Sequence, residues 1–189
     1  MGYTHYWRRR QEYDPLAFAL VVADFRKLML FLHEAGVRLA GGDGESEPEV
    51  REEGVWFNGL EKCGHAEHDL GITWPADKAR GVSLTNGQAS QPPMAGHWFA
   101  GALLGSRTCG GNCSHETLHF PRVRQRHEWE KGPAKNGFHF DSCKTAYKPY
   151  DLAVMAFLII AKHHLGRNLQ VSSDGTRAQW GDTIRLCEA

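Results

Sequence analysis

Cysteine and histidine residues on two glycine-containing segments are the residues of this sequence best suited to bind a metal ion. The first segment holds Cys63 and His65 around one glycine, and the second holds Cys109 and Cys113 on either side of a Gly-Gly pair. Thiolate and imidazole groups are the ligands of structural zinc, which takes four of them in a tetrahedron. The sequence therefore predicts a closed, structural Zn²⁺ site formed by Cys63, His65, Cys109 and Cys113.

Two other interpretations of this cluster stay open at the level of the sequence. His68 and His115 lie close enough along the chain to replace one of the four predicted ligands. The cysteines are also consistent with unconnected thiols in a loop. The chain has five cysteines, an odd number, and in a reducing compartment such residues bind metal or pack in the core more often than they form disulfides.

A second group of reactive side chains lies where a predicted strand leads into a predicted helix. Lys144 and Lys148 supply two positive charges there, and Thr145 supplies a hydroxyl group. The first N–H groups of a helix and its dipole attract anions. With His5 and Cys143 approaching from neighbouring strands, the pattern predicts a site for a small anionic or nucleotide-like ligand. The alternative is that Asp151 or another protein carboxylate neutralises the lysines.

Cys143 also suggests a nucleophile, because nearby lysines and a helix start lower the pKa of a thiol. Catalysis would require a base, for which His5 is a candidate, and an oxyanion site. A buried cysteine on a strand is the more common arrangement. The sequence therefore favours a protein that is not an enzyme and assigns no catalytic residue.

The elements that position these residues follow one pattern that occurs twice. Each copy contains an aromatic strand, an X-Pro helix start, an apolar helix, a glycine that ends it, a second strand and an Asp-Gly pair. The first copy comprises strand 3–7, helix 15–36 and strand 37–40, and the second comprises strand 138–140, helix 150–165 and strand 169–172. Two such β-α-β units with right-handed crossovers predict an α+β, two-layer sandwich with two long helices on one face of a mixed sheet.

The chain is predicted to form a single domain, 1–189, with an irregular insertion between its two halves. The halves are 1–60 and 136–189, and the segment 61–135 between them is rich in glycine, proline, serine and histidine. A loop of this length requires its own source of order. The zinc-like cluster is expected to supply it.

Composition limits the class of function. The chain has 189 residues and a formal net charge of zero, with 41% hydrophobic and 23% charged residues, as in an ordinary globular domain. General nucleic-acid binding is therefore not expected. Its longest apolar run, 152–161, is shorter than the roughly 18 residues of a membrane span, and the N-terminus lacks a secretory pattern. We expect a soluble, cytoplasmic protein without a membrane partner.

Four motifs resemble those of an uncharacterised family of phage and bacterial proteins. They are MGYTHYW at 1–7, SHET at 114–117, CKTAxKPYD at 143–151 and VSSDG at 171–175. The resemblance spans nearly the whole chain, and it implies a phage or prophage accessory protein in a bacterial host cell. It carries over no catalytic residue. Tyr147 stands where the family pattern suggests an arginine, which weakens the predicted cationic site.

These observations favour a phage accessory protein that binds a small anionic or nucleotide-like ligand, for example to sequester it from host defence. One alternative is an enzyme that acts on a phosphorylated or acylated substrate through Cys143 or His5. Another is a protein that binds a host macromolecule through Trp98, Phe99 and the basic stretch 122–135.

Overall fold

The computed structural model describes residues 3–34, 36–63, 96–99, 102–105, 107, 109, 111–125 and 136–188. The predicted ligands His65 and His68 and most of the basic stretch 122–135 lie outside these residues. The strands are β1 (Thr4–Arg9), β2 (Leu39–Ala40), β3 (Glu49–Arg51), β4 (Gly54–Gly59), β5 (Gly96–Phe99), β6 (Ala102–Gly105), β7 (Leu118–Pro121), β8 (His139–Lys144) and β9 (Leu169–Ser173). The helices are α1 (Pro15–Glu34), α2 (Asp151–Leu165) and α3 (Arg177–Glu188).

The two long helices begin and end where the sequence predicts. The Asp14 carboxylate accepts a hydrogen bond of 2.9 Å from the N–H of Ala17, which caps α1 at Pro15. Gly36 follows α1 with φ of 83°, and Gly166 follows α2 with φ of 53°. Both angles lie in the left-handed region, where glycine has no steric penalty, so each glycine ends its helix.

The strands form two main sheets, and every pair in them is antiparallel. In the first sheet β1 lies between β8 and β9, with His5 opposite Cys143 and Thr4 opposite Lys144. In the second sheet β2, β3 and β7 all pair with β4. Strands β5 and β6 form a separate pair. The predicted α+β class is therefore confirmed, as is the prediction that the first strands of the two halves are neighbours.

The predicted single mixed sheet of two equivalent β-α-β units is wrong. The strands β8 and β9 around α2 share a sheet and run parallel with β1 between them, but β2, which follows α1, pairs with β4 in the other sheet. Both edges of β1 are already occupied by β8 and β9, so β2 has no place beside β1 and pairs Leu39 with Gly59 and Ala40 with Asn58 on β4 instead. The two copies of the sequence pattern therefore have different topologies.

One hydrophobic core joins both sheets to α1 and α2. The ring of Phe157 on α2 lies 5.2 Å from that of Phe25 on α1 and 5.0 Å from that of Phe120 on β7. All residues of α2 from Leu152 to Leu158 are buried, which fits a helix that is covered on more than one side. Burial of this core is the main stabilising contribution that fixes the start of α2.

The segment 61–135 is more than an insertion between the two halves. Its strand β7 pairs with β4, and its side chains Leu118 and Phe120 are fully buried in the common core, with the exposed His119 between them. This alternation is the period of a half-buried strand. Within the predicted insertion, 118–121 therefore contributes a strand to the second sheet and two side chains to the common core.

None of the described helices combines the length and the apolar composition that crossing a membrane requires.

Candidate functional site

Three of the four predicted zinc ligands meet at one point in the structure. The Sγ atoms of Cys63, Cys109 and Cys113 all lie within 4.8 Å of one another, with separations of 3.4 Å for Cys63 to Cys109 and 3.3 Å for Cys109 to Cys113. The side chains are 6%, 0% and 3% exposed. In a tetrahedral thiolate site with Zn–S distances of about 2.3 Å, neighbouring sulfurs are about 3.8 Å apart. The triad therefore has the donors and spacing to hold a metal ion.

The cluster is held against the end of β4 by backbone contacts. The N–H of Cys113 donates to the carbonyl of Leu60 at 3.2 Å, and Leu60 packs on the three cysteines. A Cβ atom at Gly59 would lie 1.9 Å from the Cys113 carbonyl oxygen, so only glycine allows the two segments to approach so closely. Cys63, four residues after Gly59, is thereby brought to the loop that carries the other two thiols.

Asn58 hydrogen-bonds the same loop to β4, and no sequence motif points to this residue. Its side-chain amide donates to the carbonyl of His115 at 2.9 Å, and its side-chain oxygen accepts the N–H groups of His115 and Gly59. Asn58 is 4% exposed, so these hydrogen bonds form away from water. The side chain of His115 itself is exposed, and among the described residues it does not join the metal-ligand cluster.

Lys148 contacts the loop that carries Cys109 and Cys113. Its Nζ atom donates to the carbonyl oxygens of Cys109 and Asn112, the latter at 2.6 Å. These two carbonyls lie in the turn that positions Cys109 and Cys113. Lys148, predicted as part of an anion site, therefore fixes the backbone around the cysteines and places a positive charge beside them.

The environment of the thiols favours a metal ion over free thiolates. Burial raises the pKa of the Cys113 thiol, and neighbouring Cys109 and Cys63 raise it further. Burial likewise raises the pKa of Cys109. Without a cation at their centre, these groups are neutral thiols at pH 7. A bound metal would replace their protons, because a thiolate, not a thiol, is the ligand.

A buried network of charged groups lies next to this cluster, centred on Asp151 at the start of α2. Its Oδ1 is 2.7 Å from His5 Nε2 and accepts the hydroxyl of Thr145 at 2.5 Å. Its Oδ2 accepts Arg107 Nε at 3.1 Å, and another nitrogen of Arg107 donates to Asp182 at 3.1 Å. Four of these five side chains are 0–1% exposed, and Asp182 is 7% exposed.

The charges in this network stabilise one another. Burial disfavours the Asp151 carboxylate, but the hydrogen bond from His5 and the charge of Arg107 more than offset it, so the pKa of Asp151 is below its usual value. Burial acts against the Arg107 guanidinium, yet Asp151 and Asp182 raise the pKa of Arg107 above its usual value. The ring of Tyr147 lies 4.7 Å from the same guanidinium. Asp151 and Arg107 are therefore ionised at neutral pH.

The start of α2 differs from the predicted anion site, because its N–H groups have partners. The N–H groups of Asp151, Leu152 and Lys148 donate to the carbonyls of Lys148, Pro149 and Thr145 respectively. The carboxylate that the helix start attracts is the protein's own Asp151. Of the predicted ligand-binding residues, His5 and Thr145 contact Asp151 and Lys148 contacts the metal loop, while Lys144 is half-buried. The premise of free N–H groups at this position is wrong.

Cys143 lies in the core rather than in a reactive site. It is fully buried, and its Sγ donates to the carbonyl of Glu116 at 3.3 Å. Burial raises its pKa, and the charge of Glu116 raises it further, although a hydrogen bond from Tyr150 acts in the opposite direction. The nucleophile interpretation depended on a lowered pKa for the Cys143 thiol, and that prediction is wrong. At neutral pH the group is a protonated thiol.

Two residues of the network have no counterpart in the sequence patterns. Arg107 precedes Cys109 by two residues, and Asp182 lies on α3, far along the chain. Neither belongs to a spaced motif, so only the packing of α3 against α2 reveals their contact. Comparison of the chain with protein-family models, curated proteins and solved structures finds no match to any of them.

Proposed function

We propose that the protein binds one zinc ion through Cys63, Cys109, Cys113 and His65, and that the ion has a structural role. The observation that carries the proposal is the meeting of three buried Sγ atoms within 4.8 Å from two segments that lie 46 residues apart in sequence. Three thiolates form a soft ligand set, which binds zinc in preference to the hard cations magnesium and calcium.

His65 is the fourth ligand in this proposal because it follows Cys63 by two residues and so lies within reach of the same ion. Four protein ligands leave no open position for water or substrate, which is the mark of a structural site. Three thiolates, one neutral imidazole and Zn²⁺ carry a net charge of −1. The ammonium group of Lys148, bonded to two carbonyls of the loop, offsets that charge.

The zinc ion would join two segments of the chain directly, and Lys148 links a third segment to them through hydrogen bonds. Cys63 follows β4, Cys109 and Cys113 belong to the loop before β7, and Lys148 connects that loop to the start of α2. The ion thereby closes the long segment 64–108 at both of its ends. The loss of chain entropy on closing such a loop is the cost that metal binding offsets.

The proposal is tested by native mass spectrometry of protein expressed with sufficient zinc. We expect one zinc per chain in the parent protein, less than about 0.2 in Cys113→Ser, and full occupancy in the control Cys187→Ser, whose thiol lies on α3. His65→Ala is expected to lower occupancy and His68→Ala to leave it unchanged. A Cys113→Ser variant that retains full zinc would refute the site.

Ligand sequestration, a phage origin and binding of a host protein stay predictions from the sequence. The proposed metal site neither requires nor excludes these functions, because its role is to stabilise the fold.

A further inference from the structure

A second unusual region surrounds the ring of Phe120, away from the cysteines. Three buried groups there have no hydrogen-bond partner in the described part of the chain: Trp7 Nε1, Arg9 Nη1 and the hydroxyl of Tyr13. Their side chains are 1%, 0% and 2% exposed. The rings of Trp7 and Tyr13 each lie 5.8 Å from the ring of Phe120, and the Arg9 guanidinium lies 4.7 Å from it. The three side chains that carry these groups therefore all pack against one aromatic ring.

The charge of Arg9 is not balanced by a carboxylate. Its Nε and Nη2 atoms donate to the backbone carbonyls of Arg10 and Arg122, and within the described residues it forms no ion pair. The nearby Asp141 is already paired by Arg124, whose Nε contacts both of its oxygens. Stacking on the rings of Tyr13 and Phe120 stabilises the cation in part. Among the described residues Arg9 nevertheless forms no ion pair of its own, and an unpaired charge in the core is costly.

The unpartnered groups are all hydrogen-bond donors. Arg9 Nη1 has two N–H groups to donate and the Trp7 indole has one. The Tyr13 hydroxyl has one O–H to donate and can also accept a hydrogen bond. A water molecule accepts at most two hydrogen bonds, so it satisfies only part of this set. A small anion accepts four or more and also balances the guanidinium charge. The donor set therefore matches an anion better than water.

We propose that Arg9, Trp7 and Tyr13 bind a small monovalent anion of about the size of chloride in the core beside Phe120. Phe18 also stacks on the Phe120 ring, and we restrict the proposal to small anions because the three side chains are almost fully buried. Halide and formate share the required chemistry, which is one negative charge, small size and acceptor capacity on several sides. This site is independent of the zinc site.

The proposal is tested by thermal unfolding in sodium chloride, sodium formate and sodium gluconate at equal ionic strength, which separates binding from charge screening. Chloride, formate or both are expected to raise Tm saturably by about 2–6 °C above the gluconate value, because ligands that bind only the native state stabilise it. Arg9→Met is expected to abolish this difference. Arg8→Met, on the exposed side of the same strand, is the control and should preserve it. Equal Tm values in all three salts would overturn the proposal.

Two further measurements keep the proposal testable if Arg9→Met does not fold. Tyr13→Phe keeps the ring and removes only the O–H donor, so it should reduce the chloride effect by at least half, while Tyr6→Phe, whose hydroxyl contacts Asp174, should not. In crystals grown in sodium bromide, an anomalous peak is expected within hydrogen-bond distance of Arg9 Nη1. An undiminished chloride effect in Tyr13→Phe, or bromide peaks only elsewhere, would overturn the assignment.

Discussion

The cysteine cluster and the Asp151 network are two buried polar regions that satisfy their groups in different ways. In the network, the Arg107 guanidinium faces the carboxylates of Asp151 and Asp182, so charged groups of the chain balance one another. In the cluster, the Sγ atoms of three buried cysteines lie close together in an arrangement that could hold a metal ion. The first region pairs its charges within the chain, whereas for the second we propose an ion from outside the chain.

The two regions are also neighbours along the chain. Arg107 precedes Cys109 by two residues, and Lys148, which donates to the loop that carries Cys109 and Cys113, precedes Asp151 by three. Damage to the network should therefore affect the whole fold, and damage to the cluster should stay local. The predictions below test that difference, beginning with the largest effect.

Arg107→Met should cause the greatest loss of stability, because it leaves two buried carboxylates without their cation. We expect the free energy of unfolding in urea to fall by about 3–5 kcal/mol. The matched control is Arg51→Met, whose side chain is 65% exposed and should change stability by less than about 1 kcal/mol. Similar small losses in both variants would show that the network does not differ from a surface ion pair.

Removal of zinc by a strong chelator should destabilise the protein less than Arg107→Met and more locally. Amide hydrogen exchange should accelerate at 57–63 and 111–117, where the backbone surrounds the cysteines, and stay slow in β1, β8 and α2. Protection lost equally across β1 and α2 would contradict a local role for the ion.

Lys148→Met should weaken metal binding without preventing it, because the ammonium group orients the loop and balances its charge but is not a ligand. We expect the affinity for Co²⁺ or Zn²⁺ to fall about 10–100-fold, with one ion still bound at saturation. Lys148→Arg should restore part of the affinity, and Lys144→Met should have no effect. A change in the thiolate-to-Co²⁺ absorption bands at saturation would instead indicate that Lys148 alters the ligand set.

The smallest effect concerns acid. Because the pKa of Asp151 is lowered in the folded state, its contribution to stability is complete above the unfolded pKa near 4 and is lost as the pH falls through the lower, folded value. Metal-free protein should therefore lose stability as the pH falls below about 4. In metal-free Asp151→Asn this part of the pH dependence should be missing. An identical Tm against pH curve in both proteins would refute the pairing.

Features that depend on the local sequence, such as helix ends, could be predicted. Features that depend on packing between distant segments, such as sheet membership, could not. Pro15, Gly36 and Gly166 mark helix ends through their own backbone preferences, and these predictions are confirmed. The meeting of Cys63 with Cys109 followed from donor type, since few other roles suit three cysteines between glycines. In contrast, sheet membership of β2 depends on which distant strand it meets. A periodic pattern within 3–7 and 37–40 contains no information on that choice.

The site shows the same division. Lys144, Thr145 and Lys148 form a compact basic motif, and the sequence alone could not show that Asp151 would accept His5, Thr145 and Arg107. That arrangement requires β1, the residue after β8 and the segment that carries Arg107 to converge on one carboxylate. Asn58 and Asp182 are isolated polar residues in sequence, and burial alone reveals their contacts.

Zinc K-edge X-ray absorption of the purified protein tests the central claim most directly, because it reports the metal and its ligands together. We expect about one zinc per chain bound by three sulfurs at about 2.3 Å and one nitrogen at about 2.0 Å. Zinc surrounded only by oxygen and nitrogen, or less than about 0.2 zinc per chain after expression with sufficient metal, would contradict it.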